Sequence, residues 1–231
     1  YNRKVFEYKY DLRPPQEDSP IPPLWTRHID SGESISVFDT TGKLVEGKDE
    51  RGAKILSTFG IMSRLLFSWA KNSDLDNFTV RHGIVYGDDP VHGPINPVQT
   101  NHLGQPYKNY DESGLDTIFE YDFKGNVISA QKQVIKDSLL LTAINDGAIT
   151  DWEVTPYVVD WTIFPWNEEI DLLEGDYQTN VVVDALNRPI QTIYPADINN
   201  DRKVATTTYN PAGALEKINF DGTDYINHIA Y

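Results

Sequence analysis

One short phrase recurs along the chain and constrains its fold more than any other feature. It consists of an aromatic residue or valine, then Asp or Asn, two variable residues, and Gly or Asn. It occurs as Phe38-Asp39-x-x-Gly42, Tyr110-Asp111-x-x-Gly114, Tyr121-Asp122-x-x-Gly125, Val183-Asp184-x-x-Asn187 and Tyr209-Asn210-x-x-Gly213. Asp49-x-x-Gly52 is a sixth copy without the aromatic. A type I turn favours Asp or Asn at its first position and Gly at its fourth. The side-chain oxygen accepts the backbone N–H two residues on. The fourth residue is then left-handed, which Gly adopts freely and Asn tolerates. Such a turn closes a β-hairpin with a one-residue bulge. Turn chemistry alone therefore accounts for the acids of the phrase, and none needs to be catalytic.

The segments around the phrase agree with hairpins. Short runs of Val, Ile, Thr, Tyr and Phe alternate with Gly, Pro, Asn and Asp, the pattern of many short strands. Ser34–Val45, Leu115–Ile135, Asn180–Tyr194 and Thr206–Phe220 each read strand, turn, strand. Over Ile61–Ala70 two readings compete. Met62, Leu65, Leu66 and Trp69 have helical spacing, whereas Phe59-Gly60 and Ser63-Arg64 look like a worn copy of the turn; the strand pair is preferred. Val134–Ile144 can carry one or two helical turns. Three segments read as loops: a Pro-rich leading segment over 1–24, then 87–97 and 151–174. Stacked repeat units cover one another's apolar faces. The expected fold is all-β, with antiparallel strand-turn-strand repeats in a long curved sheet, little helix, and one segment over 1–231. A ribbon of this kind leaves open strand edges and uncovered apolar faces, so the isolated chain is expected to self-associate.

Composition narrows the function classes. The 231 residues include 35 Asp and Glu against 20 Lys and Arg, a formal charge of −15. Nucleic acid and anionic membranes both call for basic patches, so neither is an expected partner. No apolar run approaches the roughly 18 residues of a membrane span, and no direct membrane insertion is expected. There is no cysteine, which removes disulfides, thiolate catalysis and Cys-based metal sites. The five histidines, His28, His82, His92, His102 and His228, are scattered without a pair at helical spacing. Asp197-Ile198-Asn199-Asn200-Asp201 begins like a calcium loop, but Arg202 stands where Gly belongs and Thr208 where a bidentate acid belongs. A polar hairpin tip is the better reading. No catalytic residue, cofactor or metal ligand is assigned.

Together with the longer phrases around them, these residues resemble a known family. Tyr-Asp-x-x-Gly and Asp184-Ala185-Leu186-Asn187-Arg188 are hallmarks of RHS, or YD, repeat proteins. Several further stretches resemble the shell-forming B and C subunit of bacterial insecticidal toxin complexes. These are Trp25–Gly32, Trp69-Ala70-Lys71, Asn101–Tyr107, Tyr121–Asn126, Val183–Pro189, Thr208–Glu216 and His228–Tyr231. The resemblance covers about residues 25–231. It implies a secreted toxin-complex component whose repeats form a hollow shell around a C-terminal toxic cargo. Its implied partners are the remaining shell segments, the other toxin-complex subunits and the enclosed cargo. The family's self-cleaving Asp-Pro-x-Gly signature is missing, because Asp89-Pro90-Val91-His92-Gly93 has one residue too many. The start at Tyr1 and the end inside a repeat suggest a piece of a longer polypeptide.

The main rival reading is a carbohydrate-binding module or a glycoside hydrolase built on the loop 151–171. That loop gathers Trp152, Trp161 and Trp166 with Asp151, Glu153, Asp160, Glu168, Glu169 and Asp171. Aromatic platforms and paired carboxylates serve sugar chemistry, although no spacing singles out a pair.

Overall fold

The computed structural model describes residues 4–10, 23–145, 157–161 and 172–229. These residues form fifteen strands and one helix. The strands are β1 (Phe6–Tyr10), β2 (Pro23–His28), β3 (Gly32–Phe38), β4 (Leu44–Asp49), β5 (Lys54–Phe59), β6 (Leu65–Lys71), β7 (Thr79–Tyr86), β8 (Pro106–Asp111), β9 (Gly114–Tyr121) and β10 (Val127–Ile135). After the helix α1 (Asp137–Asn145) follow β11 (Leu173–Val183), β12 (Pro189–Ala196), β13 (Arg202–Tyr209), β14 (Leu215–Phe220) and β15 (Thr223–Ile226). The strands are hydrogen-bonded in chain order, with no crossover. This is the all-β, antiparallel strand-turn-strand architecture expected from the turn phrases. Among the described residues no helix is long and apolar enough to cross a membrane.

The chain divides into two compact units, Tyr1–Gly83 with Val158–Ile163, and Ile84–Tyr157 with Phe164–Tyr231. In the first unit the hairpins run from β1 into β7. Between β5 and β6, Leu56 faces Trp69 and Ser57 faces Ser68. The strand pair therefore holds over Ile61–Ala70, and the helical spacing there is incidental. The leading segment 1–24 contains β1, whose aromatic residues alternate with Glu7 and Lys9 in the two-residue period of a strand. Val80, Val159 and Trp161 are buried in this unit.

In the second unit the core lies along β7 to β11, where Val85, Tyr110, Leu115, Tyr121, Ile135, Leu172 and Leu173 are buried. Helix α1 starts one turn later than the sequence suggests, because β10 carries on to Ile135 in register with Leu173. The same pairing starts β11 at Leu173, inside the expected loop 151–174. The N–H of Lys136 donates to the Leu172 carbonyl at 2.9 Å and closes the base of that insertion. The loop after β7 runs through turns as far as residue 105, well past 97. Ile35, Val37, Val182 and Tyr194 stay more than two-fifths exposed.

Candidate functional site

The repeated turn phrase closes several of the hairpins of the described sheet. At Asp39 the backbone N–H donates to the Lys43 carbonyl at 2.9 Å, and the Gly42 N–H returns to the Asp39 carbonyl at 3.1 Å. The same two bonds recur at Asp122 with Asn126 and Gly125, at Asp184 with Arg188 and Asn187, and at Asn210 with Ala214 and Gly213. Each turn is followed by a register shift in the adjoining strand pair, such as Val37/Phe38. That is the one-residue bulge. Gly125 has φ +87° and Asn187 φ +63°, the left-handed backbone that the phrase supplies at its fourth position.

The acid does more than the turn pattern foretells. Asp122 Oδ1 accepts the N–H of Lys124 at 2.8 Å, two residues on, and also the N–H of Asn126 at 2.9 Å, four residues on. Asp39 Oδ1 holds Thr41 and Lys43 in the same way, and Asp184 Oδ1 holds Leu186 and Arg188. Asn210 Oδ1 accepts from Ala214 at 2.9 Å. A single oxygen thus fixes the turn and the residue that leads into the returning strand.

Asp111 and Gly114 depart from this scheme. They face each other directly in the β8–β9 register, so the hairpin has only two loop residues. Asp111 Oδ1 accepts from the N–H groups of Ser113 and Gly114. Gly114 has φ +145°, and a Cβ placed on it would lie 2.0 Å from the Gln133 carbonyl oxygen. The phrase here serves the close approach of β10 and not a left-handed bulge.

Two copies of the bulged turn lack the phrase. Asp197 bonds with Asp201 and Asn200 in the same backbone pattern, and its Oδ1 accepts from Asn199 and Asp201. Its Oδ1 is therefore committed to a turn, in the segment that begins like a calcium loop. Gly60 bonds with Arg64 and Ser63 in that pattern with no acid at all, Ser63 being left-handed at φ +57°. The β14–β15 hairpin uses Asp221-Gly222, both at positive φ, a two-residue I′ turn.

Neighbouring turns are tied side to side. Lys43 Nζ donates to the Ser63 carbonyl. Lys124 Nζ donates to the Ala185 carbonyl at 2.6 Å, and Asn126 Nδ2 to Asn187 Oδ1 at 3.2 Å. The Arg188 guanidinium lies 4.2 Å from the centre of the Tyr209 ring. The tyrosine before the turn reaches the neighbouring strand. Tyr121 donates its hydroxyl to the Pro106 carbonyl at 2.8 Å, and Tyr209 to Pro189 at 3.1 Å. Burial pushes the Tyr121 phenol up to about 12.

His102 is fully buried, although nothing in the local sequence marks it as a core residue. Its Nε2 lies 2.8 Å from the Ile118 carbonyl and its Nδ1 2.7 Å from Thr100 Oγ1. A carbonyl only accepts, so Nε2 carries the hydrogen. The rings of Tyr107 and Tyr121 meet it edge-on. The histidine pins the loop 87–105 against β9. Among the described residues no group of three or more His, Asp or Glu side chains is placed to hold a metal ion.

Of the Trp- and acid-rich loop, Asp160 and Trp161 lie within the described residues, while Asp151, Trp152, Glu153, Trp166, Glu168, Glu169 and Asp171 lie outside them. Asp160 Oδ1 accepts the Val80 N–H at 3.0 Å, and the Trp161 N–H donates to the Val80 carbonyl at 3.1 Å. Trp161 is buried. These two residues anchor the segment onto β7, and the tryptophan offers no open face on which a sugar ring could stack.

The turn acids have shifted titrations. The Lys43 N–H holds Asp39 below the usual carboxylate value, the Asn126 amide does so for Asp122, and the Arg188 guanidinium for Asp184. Burial pushes Asp111 up, but the bonds from Ser113 and the charge of Lys132 outweigh it and leave the group lowered. A carboxyl lowered on folding adds stability above its unfolded value of 3.8, and that stability is lost as pH falls through the folded value. Thermal unfolding followed by circular dichroism should therefore show a steady melting point down to about pH 4, from that reference value, and a decline below it. Among single substitutions, Asn210→Ala should lower stability by about 1 kcal/mol through the lost turn bond. Gly125→Val should cost about 1–3 kcal/mol by forcing a β-branched residue to positive φ. Urea unfolding reads both.

No protein-family model matches the chain, and no curated protein matches it. Solved structures do. A crystal structure of TcdB2-TccC3 matches 99% of this chain and 10% of its own, with TM-score 0.72 and 17% identity. A pore-state Tc holotoxin of Photorhabdus luminescens matches 98% of this chain and 9% of its own, with TM-score 0.70 and 18% identity. TcdB2-TccC3 without its hypervariable C-terminal region matches 90% and 9%, with TM-score 0.67 and 18% identity. The chain spans about a tenth of the length of these proteins. In its turn phrases and in its fold, the chain resembles an RHS-repeat section of the Tc toxin complex.

Proposed function

We propose that the chain is a structural segment of an RHS-repeat toxin shell, which joins other shell segments and toxin-complex subunits, encloses a toxic cargo and performs no catalysis of its own. The observation that carries this reading is the fold similarity over 99% of the chain to only 10% of a TcdB2-TccC3 chain. A match along the whole of this chain to a tenth of a larger one supports reading it as a section of that larger wall. The chemistry of the turns supports the reading. The carboxylates of the bulged turns hold backbone N–H groups of their own hairpins, and a carboxylate so engaged is not poised as a general acid or nucleophile. The exposed apolar residues of the sheet, such as Ile35, Val37 and Val182, support it too, since they suit a larger assembly.

Electron microscopy of the intact polypeptide that contains these residues tests the proposal. A hollow particle whose wall includes β2–β14 is the expected result. A free-standing module joined to its neighbours by linkers would overturn it. Turnover of chromogenic glycosides by the purified chain would overturn the non-catalytic part.

A further inference from the structure

Strand β1 stands at one end of the strand order, and among the described residues it pairs with β2 alone. Its outer edge carries none of the usual guards against a further strand, since Phe6–Tyr10 holds neither proline nor glycine. The direction of its main-chain groups follows from the pairing. The Ile29 N–H donates to the Val5 carbonyl at 3.1 Å, so Val5 faces β2. In an antiparallel pair this direction alternates from residue to residue. Glu7 and Lys9 therefore bond towards β2, and Phe6, Tyr8 and Tyr10 turn their N–H and C=O groups to the open edge. The side chains alternate as well. Phe6, Tyr8 and Tyr10 share one face, 54%, 49% and 55% exposed, with successive ring centres 5.9 and 6.1 Å apart. Glu7 and Lys9 share the other face.

We propose that this edge pairs with the β1 edge of a second copy of the chain, antiparallel, around a two-fold axis at Tyr8. The chemistry of Phe6-Glu7-Tyr8-Lys9-Tyr10 reads the same in both directions. With Tyr8 opposite its own counterpart, Phe6 stands opposite Tyr10 and Glu7 opposite Lys9, once on each side of the axis. Each opposed aromatic pair then exchanges two main-chain hydrogen bonds through groups that already point outward. The rings continue as one ladder across the axis. On the other face, Glu7 and Lys9 meet in the closer, non-hydrogen-bonded positions, where opposite charges attract. Within one chain Glu7 has only Lys4, 3.6 Å away and mostly exposed, a pair worth little. Charge also fixes the register. A shift of two residues sets Glu7 against Glu7 or Lys9 against Lys9, which is destabilising. A shift of one sets the aromatic face against the charged face and misaligns the outward groups. The other end strand, β15, lacks this symmetry. Its one charged residue, Asp224, is already held by Asn219 and Lys217. The chain carries −15 overall, whereas Lys4–Tyr10 holds two lysines and one acid, so the contact brings no acidic surfaces together. Such a closed, isologous pair goes beyond the shell reading and rests on the β1 edge alone.

Sedimentation velocity on the 231-residue chain over a concentration series tests it by charge exchange. The parent should dimerise. Glu7→Lys alone opposes lysines across the axis, and Lys9→Glu alone opposes glutamates, so each should weaken the dimer by about tenfold or more. An equimolar mixture of the two variants restores opposite charges at both positions and should associate as the parent does. A parent that stays monomeric at every concentration would overturn the proposal. So would single variants that pair like the parent, or a mixture that associates no more tightly than its components. Tyr8→Pro gives a second readout. Because Tyr8 bonds outward, proline takes no hydrogen bond from the β1–β2 pair, a position that edge strands tolerate, yet it removes the central donor of the dimer. This variant should keep the parent's circular dichroism spectrum and lose dimerisation, while Tyr225→Ser on β15 should dimerise as the parent does. Dimerisation kept in Tyr8→Pro and lost in Tyr225→Ser would put the contact at the β15 edge and refute the pairing of β1.

Discussion

Gly114→Ala should cost about 4 kcal/mol, from the sum of backbone strain and overpacking. Urea unfolding of the purified variant measures it. A methyl group at this position would stand 2.0 Å from the Gln133 oxygen and 2.9 Å from the Val134 Cα. Both are backbone atoms of β10, so no side chain can swing aside. Either β10 leaves β9, with the pairing of Val134 to Gly114, or the β8–β9 hairpin opens. Tyr110 and Leu115, which are almost fully buried beside it, would lose their packing in either case. Gly125 makes the informative comparison. It has left-handed backbone, but a methyl group there would meet only Gln105 Nε2, at 3.5 Å. Alanine at Gly125 should cost distinctly less than at Gly114. Equal losses at the two positions would mean that φ alone, and not the approach of β10, makes glycine necessary at 114.

His102→Ala should cost about 3–5 kcal/mol, combining a cavity left by a large buried side chain with a carbonyl stripped of its partner. The Ile118 carbonyl loses its donor, and the edges of Tyr107 and Tyr121 lose the ring they pack on. The damage should spread along the loop. The Tyr121 N–H is held by the Thr100 carbonyl and its own carbonyl by Asn101 Nδ2, the two loop residues just before His102. Amide hydrogen exchange should accordingly show faster exchange at Tyr121 and Gly87. His228→Ala, at an exposed position, should leave stability unchanged.

The difference between these two sites and the repeated turns explains what can be read from the sequence. A turn is made by four or five consecutive residues, so Asp39, Asp122, Asp184 and Asn210 announce their hairpins locally. Asp197 makes the same turn, but Ala196 precedes it where the phrase has an aromatic or valine, and Asn200 stands in for glycine. An Asx turn closed by a left-handed Asn is the local signal there. Asp221-Gly222 likewise carries an ordinary I′ signal. The alternation of β1 is equally local, but the prolines that follow it mask the strand in a segment that looks irregular throughout. His102 and Gly114 are different. Their roles come from Ile118 and Gln133, which lie many residues away, and nothing local distinguishes a buried histidine from a solvated one. The tryptophans of the loop 151–171 mislead for the same reason. Trp161 is an anchor because Val80 is beside it, which no spacing within the loop reveals.

In every bulged copy of the phrase, the side-chain oxygen shapes the turn as a hydrogen-bond acceptor. Asn210 shows that a neutral amide can fill the role, since its Oδ1 accepts from Ala214, four positions on, as Asp122 Oδ1 does from Asn126. The most direct test compares two triple variants by urea unfolding at neutral pH and at low pH. One carries Asp39→Asn, Asp122→Asn and Asp184→Asn, and the other carries alanine at the same three positions. The asparagine variant should keep a midpoint near the parent's, with a weaker decline at low pH, and the alanine variant should have a clearly lower midpoint. Asparagine and alanine variants of equal stability would contradict the acceptor role, because the oxygen would then be irrelevant to the turn.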